Sequence, residues 1–155
     1  MTPEMKSDMT KNLKSLIKDI EIIRQRGSED PEILGLAYDS RDVKPGFIFF
    51  ALKGIHTDGH EYILQSIKNG AAVIFHSDDL AQYSPCTTYI KVKNSRFVMA
   101  PVSSAFYDHP SEKMKIIGVT GTNGKSTTVF MIYQLLRMAG YRTGFISTIQ
   151  FDSGD

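Results

Sequence analysis

Cysteine is almost missing from this 155-residue chain: Cys86 stands alone, so no internal disulfide can form and a reducing compartment fits best. Nowhere do about eighteen apolar residues follow one another, the length needed to cross a bilayer. Met1 to Lys11 is mostly polar, which excludes the basic flank and apolar run of a secretory leader. Neither sign of charge dominates, since 18 Lys and Arg stand against 17 Asp and Glu for a net charge of +1. Composition therefore gives no long-range attraction to nucleic acid or to an acidic membrane surface, and any polyanion must be held by a local site. The histidines His56, His60, His76 and His109 lack metal-ligand spacing, so no zinc site is read. The expectation is a soluble, cytoplasmic protein with neither nucleic acid nor membrane as partner.

What is present is ordinary globular material, 41% hydrophobic and 23% charged, enough for one core or for one core and part of another. Leu13, Leu16, Ile17, Ile20 and Ile23 recur at helical spacing ahead of Gly27, which predicts an amphipathic helix over about residues 10–26. Ile33 to Tyr38 and Gly46 to Leu52 read as strands joined by the polar turn Asp39-Ser40-Arg41-Asp42. His60 to Asn69 reads as a short helix with Tyr62, Ile63 and Ile67 inward, ended by Gly70 and followed by a buried strand, Ala71 to Phe75. Tyr89 to Val92 is a further strand, and Asn94 caps a helix toward Tyr107 that contains the awkward Pro101. The aromatic run Phe47, Phe49 and Phe50 reads as buried strand, and Met131 and Met138 as core filling.

Asp108-His109-Pro110-Ser111 is polar and carries a proline, so the domain boundary is placed there. Beyond it, Met114 to Thr120 reads as a strand, Gly121 to Gly124 as a loop, Lys125 to Ala139 as a helix, and Arg142 to Ile149 as a second strand. The expected domains are residues 1–110 and residues 111–155, the latter a single βαβ unit. A parallel sheet needs several such units to cover its apolar faces. The second domain is therefore expected to be cut short, poorly stable or self-associating.

The strongest chemical signal is Gly118-Val119-Thr120-Gly121-Thr122-Asn123-Gly124-Lys125-Ser126-Thr127, set between an apolar strand and an amphipathic helix. Glycines let successive N–H groups point at phosphate oxygens, and the helix N-terminus adds about half a positive charge. In such a loop Lys125 reaches the β- and γ-phosphates and the Ser126 hydroxyl is offered to Mg²⁺. The general phosphate-loop pattern is missed by one place, because Val119 stands where its first glycine belongs.

The form present, Gly-x-x-Gly-Thr-Asn-Gly-Lys-Ser/Thr, resembles instead the loop of the Mur ligases, the folylpolyglutamate synthases and the cyanophycin synthetases. Upstream, the run from Asp39 to Gly54, then Asp58-Gly59-His60-Glu61-Tyr62-Ile63 and Gly70-Ala71-Ala72, resembles the N-terminal UDP-binding domain shared by MurE and MurF. Phe106-Tyr107-Asp108-His109-Pro110-Ser111 and the Thr-Asn of the loop are similar to the MurE type. The resemblance runs from about Leu36 to Ile149. Ser147-Thr148 departs from it, standing where relatives often have Gly-Thr.

The resemblance implies an α/β protein: a Mur-ligase UDP-binding domain with a mixed sheet and helices, then the start of a P-loop ATPase central domain. It implies ATP and Mg²⁺ as cofactors, with Gly121, Thr122, Asn123, Gly124, Lys125, Ser126 and Thr127 holding ATP, Lys125 catalytic and Ser126 on the metal. It places the UDP substrate against Tyr38, Ser40, Ile55, His56 and Thr57. The implied reaction is ATP-dependent addition of a diamino acid to UDP-MurNAc-L-Ala-D-Glu through an acyl phosphate, by an enzyme that is a monomer at full length. The acidic Mg²⁺ ligand, the modified lysine and the amino-acid domain of the family are not among these residues, so the chain alone is expected to be inactive. A MurF-type ligase adding D-Ala-D-Ala, and a non-catalytic module binding a UDP-sugar or nucleotide, are the alternatives.

Overall fold

The structure is a computed structural model describing residues 10–55 and 57–154, and it divides into two units, Met1–Met114 and Lys115–Asp155. In the first unit, the stretch expected to form one long helix contains three elements: β1 (Lys11–Asn12), α1 (Leu13–Leu16) and β2 (Arg24–Arg26). The helix ends early because the chain has stronger options. Leu13, Leu16 and Ile17 are buried after a single turn, and Arg24–Arg26 pairs antiparallel with the strand Thr88–Lys91, which satisfies backbone groups that a continued helix would have bonded internally.

The strand expected over Ile33 to Tyr38 is two: β3 (Glu32–Ile33) pairs with β1, and β4 (Gly35–Ala37) enters the main sheet. Then follow β5 (Phe47–Phe50), a 3-10 turn (Gly59–Tyr62) running into α2 (Ile63–Lys68), β6 (Val73–His76), β7 (Thr88–Lys91) and α3 (Ser95–Phe106). The main sheet has the order β2-β7-β6-β5-β4, with β4 to β7 parallel and β2 antiparallel at one edge. Tyr62, expected to face inward, is exposed, while Ile63 and Ser66 are the buried residues of that segment.

Strand alternation sends successive side chains to opposite faces, and here both faces are covered. Ile48, Phe50, Val73, Phe75, Ile90 and Val92 pack with Leu13, Leu16, Val102 and Phe106 from α1 and α3. Phe49, Ala51, Ile74 and Tyr89 pack on the other face with Ala37, Val43, Ile63 and Ala71. That is why these strands read as unbroken apolar runs. Phe50 and Phe75 stack with ring centroids 5.2 Å apart, and truncating a fully buried phenylalanine costs about 3–5 kcal/mol. Asn94 caps α3 as expected, its side chain accepting from Arg96 N at 2.9 Å. Pro101 sits inside that helix on an exposed position, where its ring meets solvent and the core face stays regular.

The second unit holds α4 (Lys125–Met138) and an antiparallel pair, β8 (Phe145–Ile146) with β9 (Phe151–Asp152). This is not the βαβ unit that the pattern predicted. Residues Met114 to Thr120 form no strand, and the expected strand over Arg142 to Ile149 is reduced to two residues that turn back on β9. A parallel strand needs a neighbour for its ladder, and among the described residues none lies beside Met114 to Thr120. The apolar periodicity was real, but its burial is not: Met131 and Met138, expected to fill a core, are exposed, as are Ile116, Ile117, Leu135 and Ile149. Tyr133 is the buried residue of α4, packed on Phe145 at 4.7 Å between centroids.

Candidate functional site

In the first unit, the two stretches expected to hold a UDP ligand follow the carboxyl ends of the adjacent parallel strands β4 and β5. Tyr38, directly after β4, is 70% exposed, whereas Ser40 is buried and its carbonyl accepts from Asn69 Nδ2 at 2.8 Å. Asn69 ends α2, so the Asp39 to Asp42 turn is pinned from the helix below. Arg41 pairs with Asp39, Nη2 to Oδ2 at 2.5 Å, and the Arg41 side chain and amide hold the Asp39 carboxyl down at about 2. That guanidinium is committed to shaping the turn.

The second stretch is a tight turn. Lys53 and Asp58 form an antiparallel bridge, and Gly54 N donates to Thr57 O at 2.9 Å. Ile55 projects 95% exposed at the tip, Thr57 is exposed, and His56 lies outside the described residues. Gly59 closes the turn against β5: its N–H donates to Leu52 O at 2.8 Å, and a Cβ there would lie 2.6 Å from Leu52 N. Among the described residues no hydrogen bond joins this turn to Tyr38 or Ser40, so the structure places the two stretches at one edge of the sheet without knitting them together.

A polar bracket fixes the base of the turn. Asp58 Oδ1 accepts from His60 N at 2.9 Å and meets His60 Nδ1 at 2.6 Å. The other ring nitrogen, Nε2, accepts from Ser77 N at 3.1 Å, just past β6. Lys53 Nζ pairs with Asp78 Oδ2 at 2.7 Å, and Arg96 Nη2 donates to Lys53 O at 2.8 Å. Asp58, His60 and Asp78 bring their ligand atoms within 4.8 Å of one another. Both nitrogens of His60 are already bonded and a lysine ammonium occupies Asp78, so the group serves as a clamp and not as a cation site. Sequence reading passed over this clamp. The signal available was a charged residue just after each apolar strand, Lys53, Asp78 and Lys93, at the edge where open parallel sheets bind ligands.

In the second unit, Gly121 to Gly124 leads into α4 with Gly124 at φ +76, a left-handed conformation that favours glycine. Nothing lies within 4 Å of a Cβ built at Gly118 or Gly124, so the backbone is open to close approach by a ligand. Lys125 folds back over the loop, Nζ donating to Gly121 O at 2.6 Å and Thr122 O at 3.2 Å. Phosphate oxygens are the natural replacement for those two carbonyls. Ser126 and Thr127 stand in the first turn of α4, where amides have no intrahelical acceptor. Behind the loop, Tyr133 OH donates to Asp152 Oδ2 at 2.7 Å and Arg137 Nη1 donates to Tyr133 OH at 2.9 Å, fastening α4 to β9. The Tyr133 hydroxyl first, then the Gly154 amide, hold the pKa of the Asp152 carboxyl below the usual carboxylate value.

Residues 32–117 match the model of the Mur ligase family, catalytic domain, and residues 119–154 match the Mur ligase middle domain. The chain belongs to the Mur ligase family. It is 53% identical over 131 residues to a UDP-N-acetylmuramyl-tripeptide synthetase of Borreliella afzelii, covering 83% of this chain and 26% of the relative. To the synthetase of that name from Borrelia garinii subsp. bavariensis it is 48% identical over 152 residues, 95% of this chain and 30% of the relative. The chain thus spans between a quarter and a third of the length of these relatives. In fold it is similar to a solved UDP-N-acetylmuramoyl-L-alanyl-D-glutamate–2,6-diaminopimelate ligase, with a TM-score of 0.71 over 93% of this chain and 29% of that one, at 23% identity. The α/β family fold expected from the sequence is the one observed. Among the described residues no helix is long and apolar enough to cross a membrane.

Proposed function

We propose that this chain carries the UDP-binding part and the ATP phosphate loop of a MurE-type ligase, which adds a diamino acid to UDP-MurNAc-L-Ala-D-Glu in the cytoplasm. The observation that carries the reading is the 48% identity to a tripeptide synthetase over 95% of the chain, which spans both candidate sites. In this reading residues 1–110 bind the UDP substrate through Tyr38, Ser40, Ile55, His56 and Thr57. Residues 111–155 begin the ATP-binding domain, with Gly121, Thr122, Asn123, Gly124, Lys125, Ser126 and Thr127 around the phosphates.

A carboxylate is a poor electrophile, and its charge repels an incoming phosphate. ATP with Mg²⁺ supplies the phosphoryl group that activates the substrate carboxylate as an acyl phosphate, which the amine of the diamino acid then attacks. The residues of this chain neutralise and position: the open glycine backbone and the first-turn amides of α4 receive phosphate oxygens, and the Lys125 ammonium swings from its two carbonyls onto the same charge. In this reading the Ser126 hydroxyl would hold the metal. The remaining machinery of such a ligase lies beyond these residues, so the isolated chain is expected to bind ligands without completing the reaction.

Calorimetric titration with UDP-MurNAc-L-Ala-D-Glu, UDP and Mg²⁺-ATP tests this. UDP ligands should bind and weaken with Ser40→Ala, and ATP binding should vanish with Lys125→Ala. Failure of the folded chain to bind any UDP ligand overturns the reading of the first unit.

A further inference from the structure

Strands β5, β6 and β7 run parallel, so their carboxyl ends open on one edge of the sheet. There Lys53, Ser77, Asp78 and the segment Lys93 to Arg96 enclose a cleft of about 240 Å³. Three cations face one carboxylate, and that carboxylate, Asp78, is already paired with Lys53. Lys93 and Arg96 form no ion pair among the described residues. Arg96 gives one N–H to the Lys53 carbonyl, a neutral acceptor, so neither cation has a counter-charge among these residues.

The first turn of the 12-residue α3 borders the same cleft. Asn94 occupies the Arg96 amide, and the other amides of a first turn have no acceptor within the helix. A second observation is independent of the helix end. Ser95 is 2% exposed, and its Oγ is the one buried side-chain polar atom without a hydrogen-bond partner among the described residues. Ser95 is buried on the same face of α3 as Val102 and Phe106 and is also one of the residues that line the cleft. Buried hydroxyls are nearly always partnered, and an orphan one calls for an explanation.

We propose that this cleft is a binding site for a phosphoryl-sized oxyanion, with Ser95 Oγ and the first-turn amides of α3 donating and Lys93 and Arg96 supplying the charge. A tetrahedral dianion fits both the excess of donors and the uncompensated cations, and it accepts the proton that Ser95 leaves without a partner. The site is separate from the Tyr38 to Ser40 and Gly54 to Thr57 stretches and does not rest on their reading as a UDP site.

The experiment uses the whole chain in a Lys125→Ala background, which silences the phosphate loop, with inorganic phosphate as the probe and amide NMR shifts as the readout. Saturable shifts at Ser95, Arg96 and Phe97 are expected, with affinity falling about tenfold in Ser95→Ala or Lys93→Gln, the loss of one charge-assisted bond. Thermal midpoints without phosphate separate binding from folding: Ser95→Ala should leave them unchanged or raised, since it removes an orphan hydroxyl. UDP added last assigns the source, displacing phosphate if the group recognised is a nucleotide diphosphate and leaving it in place if it is a free oxyanion. Shifts confined to residues 118–127, or no saturable shift in the first turn of α3, overturn the proposal, as does affinity unmoved by both substitutions.

Discussion

Arg96 Nη2 donates to the carbonyl of Lys53 across 2.8 Å, joining residues 43 positions apart in sequence. The bond ties the start of α3 to the end of β5, at the root of the Gly54 to Thr57 turn. Because Arg96 does not belong to that turn, removing it tests whether the turn must be held from outside. Arg96→Ala is expected to destabilise the chain by about 1 kcal/mol, the net worth of one hydrogen bond, and to weaken a UDP ligand while leaving ATP binding alone. Urea unfolding and calorimetry on one sample measure both, and equal loss of the two ligands would assign Arg96 a merely global role.

His60 is the firmer anchor, since one ring bridges Asp58 and the Ser77 amide. Its Nε2 accepts from a backbone N–H, so Nδ1 carries the proton toward Asp58. His60→Ala leaves that N–H and the Asp58 carboxylate without their partner, and about 1–3 kcal/mol of stability should be lost. His60→Gln, able to reach only one of the two, should recover part of it. A denaturant midpoint unmoved by His60→Ala would show that the turn is held elsewhere.

His76 sets a pH dependence. It is 1% exposed and Nδ1 donates to Asp78 O at 2.7 Å, while burial, the largest influence, pushes its pKa below the ordinary 6.5. The folded state therefore binds the proton less readily than the unfolded chain, which means stability is present above the unfolded value and declines as pH falls below about 6.5. Thermal midpoints at pH 7.5 and 5.5 should differ in the wild type and converge in His76→Phe, which keeps a ring against Tyr83 and Tyr89 but cannot titrate. An unchanged pH slope in the variant assigns the effect to another group.

The phosphate loop predicts a ligand effect on order. Lys125 holds two loop carbonyls, and replacing them by phosphate should slow amide exchange from Gly121 through Thr128. Lys125→Ala should abolish that protection. Lys125→Arg should not restore it, because a planar fork does not reproduce a compact ammonium.

How much of this was legible follows from where each residue's partners lie. Tyr89 to Val92 and Gly46 to Leu52 were readable, each within two residues of the observed strands Thr88–Lys91 and Phe47–Phe50, because a strand covered on both faces leaves a continuous apolar run. Asn94 was readable because a cap bonds its own helix two residues on. Leu13 to Ile23 misled, because its helical spacing competes with an edge pairing of Arg24–Arg26 to Thr88–Lys91, more than sixty residues away. The Asp58, His60, Ser77 and Arg96 bracket was overlooked for the same reason: charged residues mark the strand ends in the sequence, but which groups pair is set only when the parallel strands align. Met114 to Thr120 failed in the opposite way: the apolar pattern is present, and the strand it predicts has no neighbour among the described residues.

That exposed pattern makes the last prediction. Within the second unit Ile116, Ile117, Met131, Leu135, Met138, Ile146 and Ile149 are all exposed, more apolar surface than a soluble chain usually leaves open. Tyr133 against Phe145, with the Asp152 bond, is the main packing that holds α4 to the hairpin. Local opening should therefore be far easier here than in the first unit. Hydrogen exchange is expected to be fast across residues 116–149 and slow across β5, β6 and β7, and sedimentation should reveal self-association that rises with concentration. Leu135→Glu and Ile146→Glu should reduce that association without altering exchange in the first unit, since both lie on the uncovered surface. Strong protection across residues 116–149 in a demonstrated monomer would show instead that this surface is covered within the chain itself.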